Sequence, residues 1–132
     1  MDLIIKFLIA FAVFMVIDLI WLGFIAKNVY QKYLGYIMAK KINWVAAVVF
    51  YMLFIMGMLF FVINPAIEAQ SVQTALINGA AFGFITYATY DLTNLSTLEG
   101  WPIQITIIDL IWGTSLATLV SVISYFIINL VM

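Results

Sequence analysis

The chain is laid out as four long apolar blocks, residues 3–26, 44–63, 72–90 and 103–131, separated by three polar stretches. Each block is about 19 to 29 residues long, enough for an α-helix rising about 1.5 Å per residue to cross a hydrocarbon layer about 30 Å thick. The pattern predicts an all-α polytopic membrane protein, a four-transmembrane-helix antiparallel bundle forming one membrane domain over residues 1–132. The first block is expected to stay as a helix rather than be cleaved as a signal peptide. It is too long, carries Asp18, and ends in FIAKNVY instead of a small-residue cleavage site.

The polar stretches carry their own signals. In KNVYQKYLGYIMAKKIN, Tyr30, Tyr33 and Tyr36 recur every third residue, which predicts a short interfacial helix. NPAIEAQSVQ reads as a helix stop at Asn64-Pro65 followed by a tight turn. DLTNLSTLEGWP places Ser96 and Glu99 at capping-box spacing ahead of Trp101-Pro102 and the last block. Two blocks also carry small-residue seams at four-residue spacing: Gly79, Gly83, Tyr87 and Asp91 in the third, and Asp109, Gly113, Ala117 and Ser121 in the fourth. Such seams let helix backbones approach closely in lipid, and both run into an aspartate.

Composition agrees with a lipid solvent. Hydrophobic residues make up 67% of the 132 and charged residues 8%, a balance that a soluble domain of this size could not bury in one core. The absence of cysteine and histidine excludes disulfides, iron–sulfur ligation, thiolate nucleophiles and imidazole chemistry; no cofactor and no metal site is expected, although carboxylates alone can hold Mg²⁺ or Mn²⁺. Of the five basic residues, all lysines, Lys27, Lys32, Lys40 and Lys41 lie between the first two blocks. By the positive-inside rule that connection is cytoplasmic, which puts both termini on the non-cytoplasmic side.

The most informative feature is a repeated tetrapeptide, DLIW, at Asp18 to Trp21 and again at Asp109 to Trp112. Asp18 lies about eight residues before the cytoplasmic end of the first block and Asp109 about six residues after the cytoplasmic start of the fourth. Both carboxyls are thus expected about 9 to 12 Å below one boundary. Tyr87, Tyr90, Asp91 and Asn94 are delivered to the same end by the third block, and Tyr51 by the second. An ionised aspartate at the centre of a spanning helix costs about 2.5 to 3.5 kcal/mol, so each must be satisfied. The nearest lysine along the chain, Lys27, is about 13 Å from Asp18. The partners within reach are Trp N–H, Tyr O–H, Asn amides, water, a proton or a bound cation. This predicts a cytoplasm-facing acidic and aromatic pocket of Asp18, Asp91, Asp109, Tyr51, Tyr87, Tyr90, Asn94, Trp112 and Trp21, with Trp112 the stronger and Trp21 the weaker of its two tryptophans. Trp44 and Trp101 read as membrane-belt residues.

The combination of DLIWLGF, a W-x-A opening to the second block, GAAFGFITYATYDLTN, and a later WP followed by DLIWG resembles an uncharacterised bacterial membrane-protein family, domain-of-unknown-function family 2177. The likeness covers essentially the whole chain. It implies a small four-span protein of the bacterial inner membrane, with Asp18, Tyr87, Tyr90, Asp91, Thr93, Asn94, Asp109, Trp112 and Gly113 on the motif positions. It implies no activity. The residues themselves favour binding or transport of a small solute or cation, with or without proton coupling, by a chain in contact with the lipid bilayer and able to pair as a homodimer. Nothing points to a nucleic-acid partner. Two other classes stay open. One is an intramembrane enzyme using carboxylates on a lipid or peptide, disfavoured because the Gly-x-Gly-Asp element of intramembrane aspartyl proteases is missing. The other is a structural subunit whose aspartates pair with a partner's basic groups.

Overall fold

The computed structural model describes residues 2–132. In chain order the elements are α1 (Asp2–Ile20), a π-helical turn (Trp21–Ile25), α2 (Lys27–Leu34), α3 (Trp44–Met58), a second π-helical turn (Leu59–Ile63), α4 (Asn64–Ala69), α5 (Val72–Thr97) and α6 (Ile103–Val131). They make four long helical stretches, and no strand occurs among the described residues. Three stretches, Asp2–Ile25, Trp44–Ala69 and Ile103–Val131, are long and apolar enough to cross a membrane. The other, α5, is long enough but diluted by glycine, threonine, asparagine and tyrosine. The protein is therefore an all-α membrane protein. Large apolar side chains are exposed all along it, among them Leu19, Phe60, Ile85, Ile111 and Leu130, as a lipid-facing surface requires.

The dominant contact is between α5 and α6, and the two predicted seams form it. A methyl group added at Gly79 would meet Ser121 Oγ at 2.8 Å and the Ala117 carbonyl at 3.1 Å; one at Gly83 would strike the Gly113 carbonyl and lie 2.7 Å from the Ala117 methyl. One at Gly113 would overlap the Tyr87 ring. The third-block residues thus meet the fourth-block residues in antiparallel order, and Asp91 arrives opposite Asp109. On the other side of α6 lies α1, whose buried residues Ala10, Phe14 and Asp18 repeat every four and share one stripe. Phe14 then packs on Phe54 and Tyr51 of α3, with ring centroids 5.6 Å apart in each case, closing the core.

Two connections depart from expectation. Asn64-Pro65 does not stop the second stretch, because the π-helical turn widens the backbone just before the proline and Pro65 enters the first turn of α4, where its missing N–H is tolerated. Phe61, four residues before Pro65, owns the carbonyl that the proline cannot serve, and the Asn78 amide approaches it at 3.5 Å. The turn itself is only Gln70 and Ser71, with Gln70 left-handed at φ 51° and Ser71 capping α5 by accepting from Thr74 N–H at 3.1 Å. At the far end of α5, Ser96 is not an N-cap. Ser96 and Thr97 hydroxyls both donate back to the Thr93 carbonyl, and the helix continues to Thr97, leaving Glu99 exposed in the turn. Trp101 is not a belt residue either: it is buried, donates Nε1–H to Thr106 Oγ1 at 3.1 Å, and packs edge-on to Tyr90. Trp44, by contrast, is exposed.

Candidate functional site

The two DLIW copies meet. Trp21 and Trp112 stack with ring centroids 4.3 Å apart and planes 8° from parallel, and Asp18 and Asp109 line one cavity of about 290 Å³ beside that stack. Antiparallel α1 and α6 carry the copies in opposite directions, so equal depth brings them together. The cavity also takes Tyr51 from α3 and Tyr87 and Tyr90 from α5. Seven of the nine predicted pocket residues thus surround a single space. Tyr87 holds a middle place, near Asp18, Asp109, Asp91 and Tyr51 together.

The other two do not line it. Asp91 is completely buried in the α5–α6 seam behind Asp109, and Asn94 lies half-buried one turn beyond. Neither oxygen of the Asp91 carboxyl receives a hydrogen bond, although Asp109 lies within reach of it. Two ionised carboxylates offer each other only acceptors, so that contact becomes a hydrogen bond when one of them holds a proton.

Tyr30 is a member of the site that sequence reasoning missed. Its hydroxyl donates to Asp109 Oδ1 at 2.5 Å, across 79 residues of chain. The predicted interfacial helix exists as α2, but it lies against α6 and turns Tyr30 inward while Lys27, Lys32 and Gln31 stay exposed. A second tyrosine of that stretch, Tyr36, donates to the Gly100 carbonyl and ties the lysine-rich connection to the turn before α6. Burial pushes the Tyr30 phenol well above its ordinary value. The bond to Asp109 and that carboxylate's charge push the same way, against a smaller opposing effect of Trp21. Trp21 Nε1–H is itself buried without a hydrogen-bond partner. The signal that could have found Tyr30 was the same argument applied to the aspartates: a membrane carboxyl needs a donor, and a tyrosine four residues past the first block is within reach.

Residues 3–126 match the family described as "Predicted membrane protein (DUF2177)". The chain belongs to this family. No curated protein and no solved structure matches it. Family membership thus fixes the membrane nature of the chain, and the chemistry of the cavity must be argued from its lining. That lining is acidic and aromatic: two carboxyls, two tryptophans and four tyrosines, with no lysine among them. Among the described residues no three acidic side chains gather as metal ligands would. Such a lining can hold a monovalent cation by charge and by the faces of aromatic rings.

Proposed function

We propose that this is a four-span protein of the bacterial inner membrane that binds a small cationic solute in the cavity between its first and last helices, as the binding step of transport. The observation that carries the reading is the convergence of Asp18 and Asp109 on one aromatic cavity that no lysine lines. A membrane carboxyl without a basic partner is costly, and a bound cation offsets that cost. Two further observations support parts of it. The exposed large side chains of α5, Leu76, Ile77, Phe84, Ile85 and Leu92, are apolar, which favours α5 as the fourth span. The tie of Tyr36 to Gly100 gathers the lysine-rich connection, the turn before α6 and the cavity at one end, the cytoplasmic end by the positive-inside rule, with both termini opposite.

The test is calorimetric titration of tetramethylammonium into the protein in lipid nanodiscs. Asp18→Asn and Asp109→Asn should each weaken binding about tenfold or more, as truncating one partner of a buried charge contact does. Equal affinity in wild type and both variants contradicts the reading.

A further inference from the structure

The aromatic wall of the acidic cavity continues into a second, larger space. Between α3 and α5 runs a groove of about 510 Å³ bounded by Phe50, Phe54, Thr86, Tyr87 and Tyr90. Phe50, Tyr87 and Tyr90 bound the acidic cavity as well, so the two spaces adjoin. The groove is almost wholly apolar, and Phe50 and Tyr90 at its rim are 46% and 57% exposed, so it opens sideways, on the outer face of the bundle. It also has a direction. Phe54 and Thr86 lie about one helical turn, roughly 5 Å, farther from the lysine-rich end than Phe50 and Tyr90, so the groove runs from the level of the carboxyls toward the middle of the helices. At the lysine-rich end itself, Tyr30, Leu34 and Met38 line the acidic cavity, and Tyr30 is bonded to Asp109.

We infer that the solute is amphiphilic: a cationic head held between Asp18 and Asp109, with an alkyl chain lying in the groove between α3 and α5 and entering sideways from the cytoplasmic leaflet. This rests on the cation reading above and adds the solute's class and route. A head-only cation uses the carboxyls and leaves the adjoining groove empty, whereas an alkyl cation fills both, with charge opposite charge and chain against Phe50, Phe54 and Tyr90. The orientation is that of a lipid in the same leaflet, head toward water and chain toward the bilayer centre, so entry needs no inversion of the molecule.

The test is to titrate tetramethylammonium and its butyl, octyl and dodecyl analogues into wild-type and Thr86→Trp protein in phosphatidylcholine nanodiscs. Thr86 lies in the groove and outside the acidic cavity, and its hydroxyl bonds only to its own helix. Partition into the same bilayer cancels in the ratio of the two affinities. That ratio should stay near one for tetramethylammonium and rise about threefold or more by the dodecyl compound, because the indole takes the space in which the chain packs against Phe50, Phe54 and Tyr90, and what is lost relative to lipid is that packing. A ratio flat across the series, with tetramethylammonium still bound, overturns the amphiphile and leaves the cation site standing. Failure of every member to bind overturns both. A butyl probe carrying a photoreactive group at the chain end, whose reach matches the one-turn length of the groove, gives a second reading on the wild type alone. Labelling of Phe54 or Thr86 supports the groove, and labelling confined to outward residues such as Ile111 and Leu119 of α6 overturns it.

Discussion

Replacing Tyr30 with phenylalanine removes one hydroxyl and leaves the ring, so it isolates the bond to Asp109. That carboxyl is 6% exposed, and Tyr30 is its hydrogen-bond donor at 2.5 Å. Hydrogen bonds between side chains of spanning helices average only about 0.6 kcal/mol, because the unfolded helices find other partners in the membrane. A bond to a charged group whose loss strands a buried acceptor is worth about 1.5 to 3 kcal/mol. The second figure applies, since Asp109 is buried and no lysine lines the cavity to take over the bond. Tyr30→Phe is thus expected to destabilise the protein by about 1.5 to 3 kcal/mol in reversible unfolding, with hydrogen exchange at Lys27–Leu34 speeding up as α2 comes off α6. In a double-mutant cycle with Asp109→Asn, most of that loss should appear as coupling energy. The bond also sets a pH limit. The folded phenol titrates above the ordinary tyrosine value of about 10, so its contribution is complete below about pH 10 and is lost as pH rises through the higher folded value. Stability within about 0.3 kcal/mol of wild type, together with unchanged exchange in α2, would refute the reasoning.

The glycines offer a contrast in one assay. Gly83→Ala and Gly113→Ala press a methyl onto the Gly113 backbone and the Tyr87 ring, and each should cost about 1 to 3 kcal/mol in unfolding. Gly23→Ala, with nothing within 4 Å, should be neutral or stabilising by up to about 1 kcal/mol. Trp21→Phe and Trp112→Phe should each abolish the same exciton feature in the far-ultraviolet circular dichroism, with no further loss in the double variant, because one stacked pair produces it. Ser71→Ala, which removes the cap on Thr74 N–H, should cost about 1 kcal/mol and raise exchange in the first turn of α5.

Much of this arrangement was written in the sequence. Apolar run length marked the four long stretches, and the four-residue seams marked the close-packed faces; that the two seams pack on each other, Gly79 at Ser121 and Asp91 opposite Asp109, came from the fold. Equal depth of the two aspartates sufficed to bring Asp18 and Asp109 to one cavity, whereas the Trp21–Trp112 stack went beyond the sequence reading, which held Trp21 the weaker of the two tryptophans. What was hidden depended on local compensation. Pro65 looks like a stop until a π-helical turn absorbs it, and Ser96 looks like a cap until its hydroxyl turns back on Thr93. Tyr30 and Trp101 were hidden because amphipathic aromatics suit a membrane interface and a buried polar partner equally well. Only the fold reveals that Asp109 and Thr106 supply those partners.

The central claim is that Asp18 and Asp109 together hold a cation, and the most direct measurement is anomalous diffraction from crystals grown in lipid with tetramethylarsonium, whose arsenic marks its position. A single anomalous peak in the cavity beside the Trp21–Trp112 stack, absent from Asp18→Asn crystals, is the predicted result. A cavity without a peak at saturating concentration, or a peak of equal height in the variant, would contradict the account.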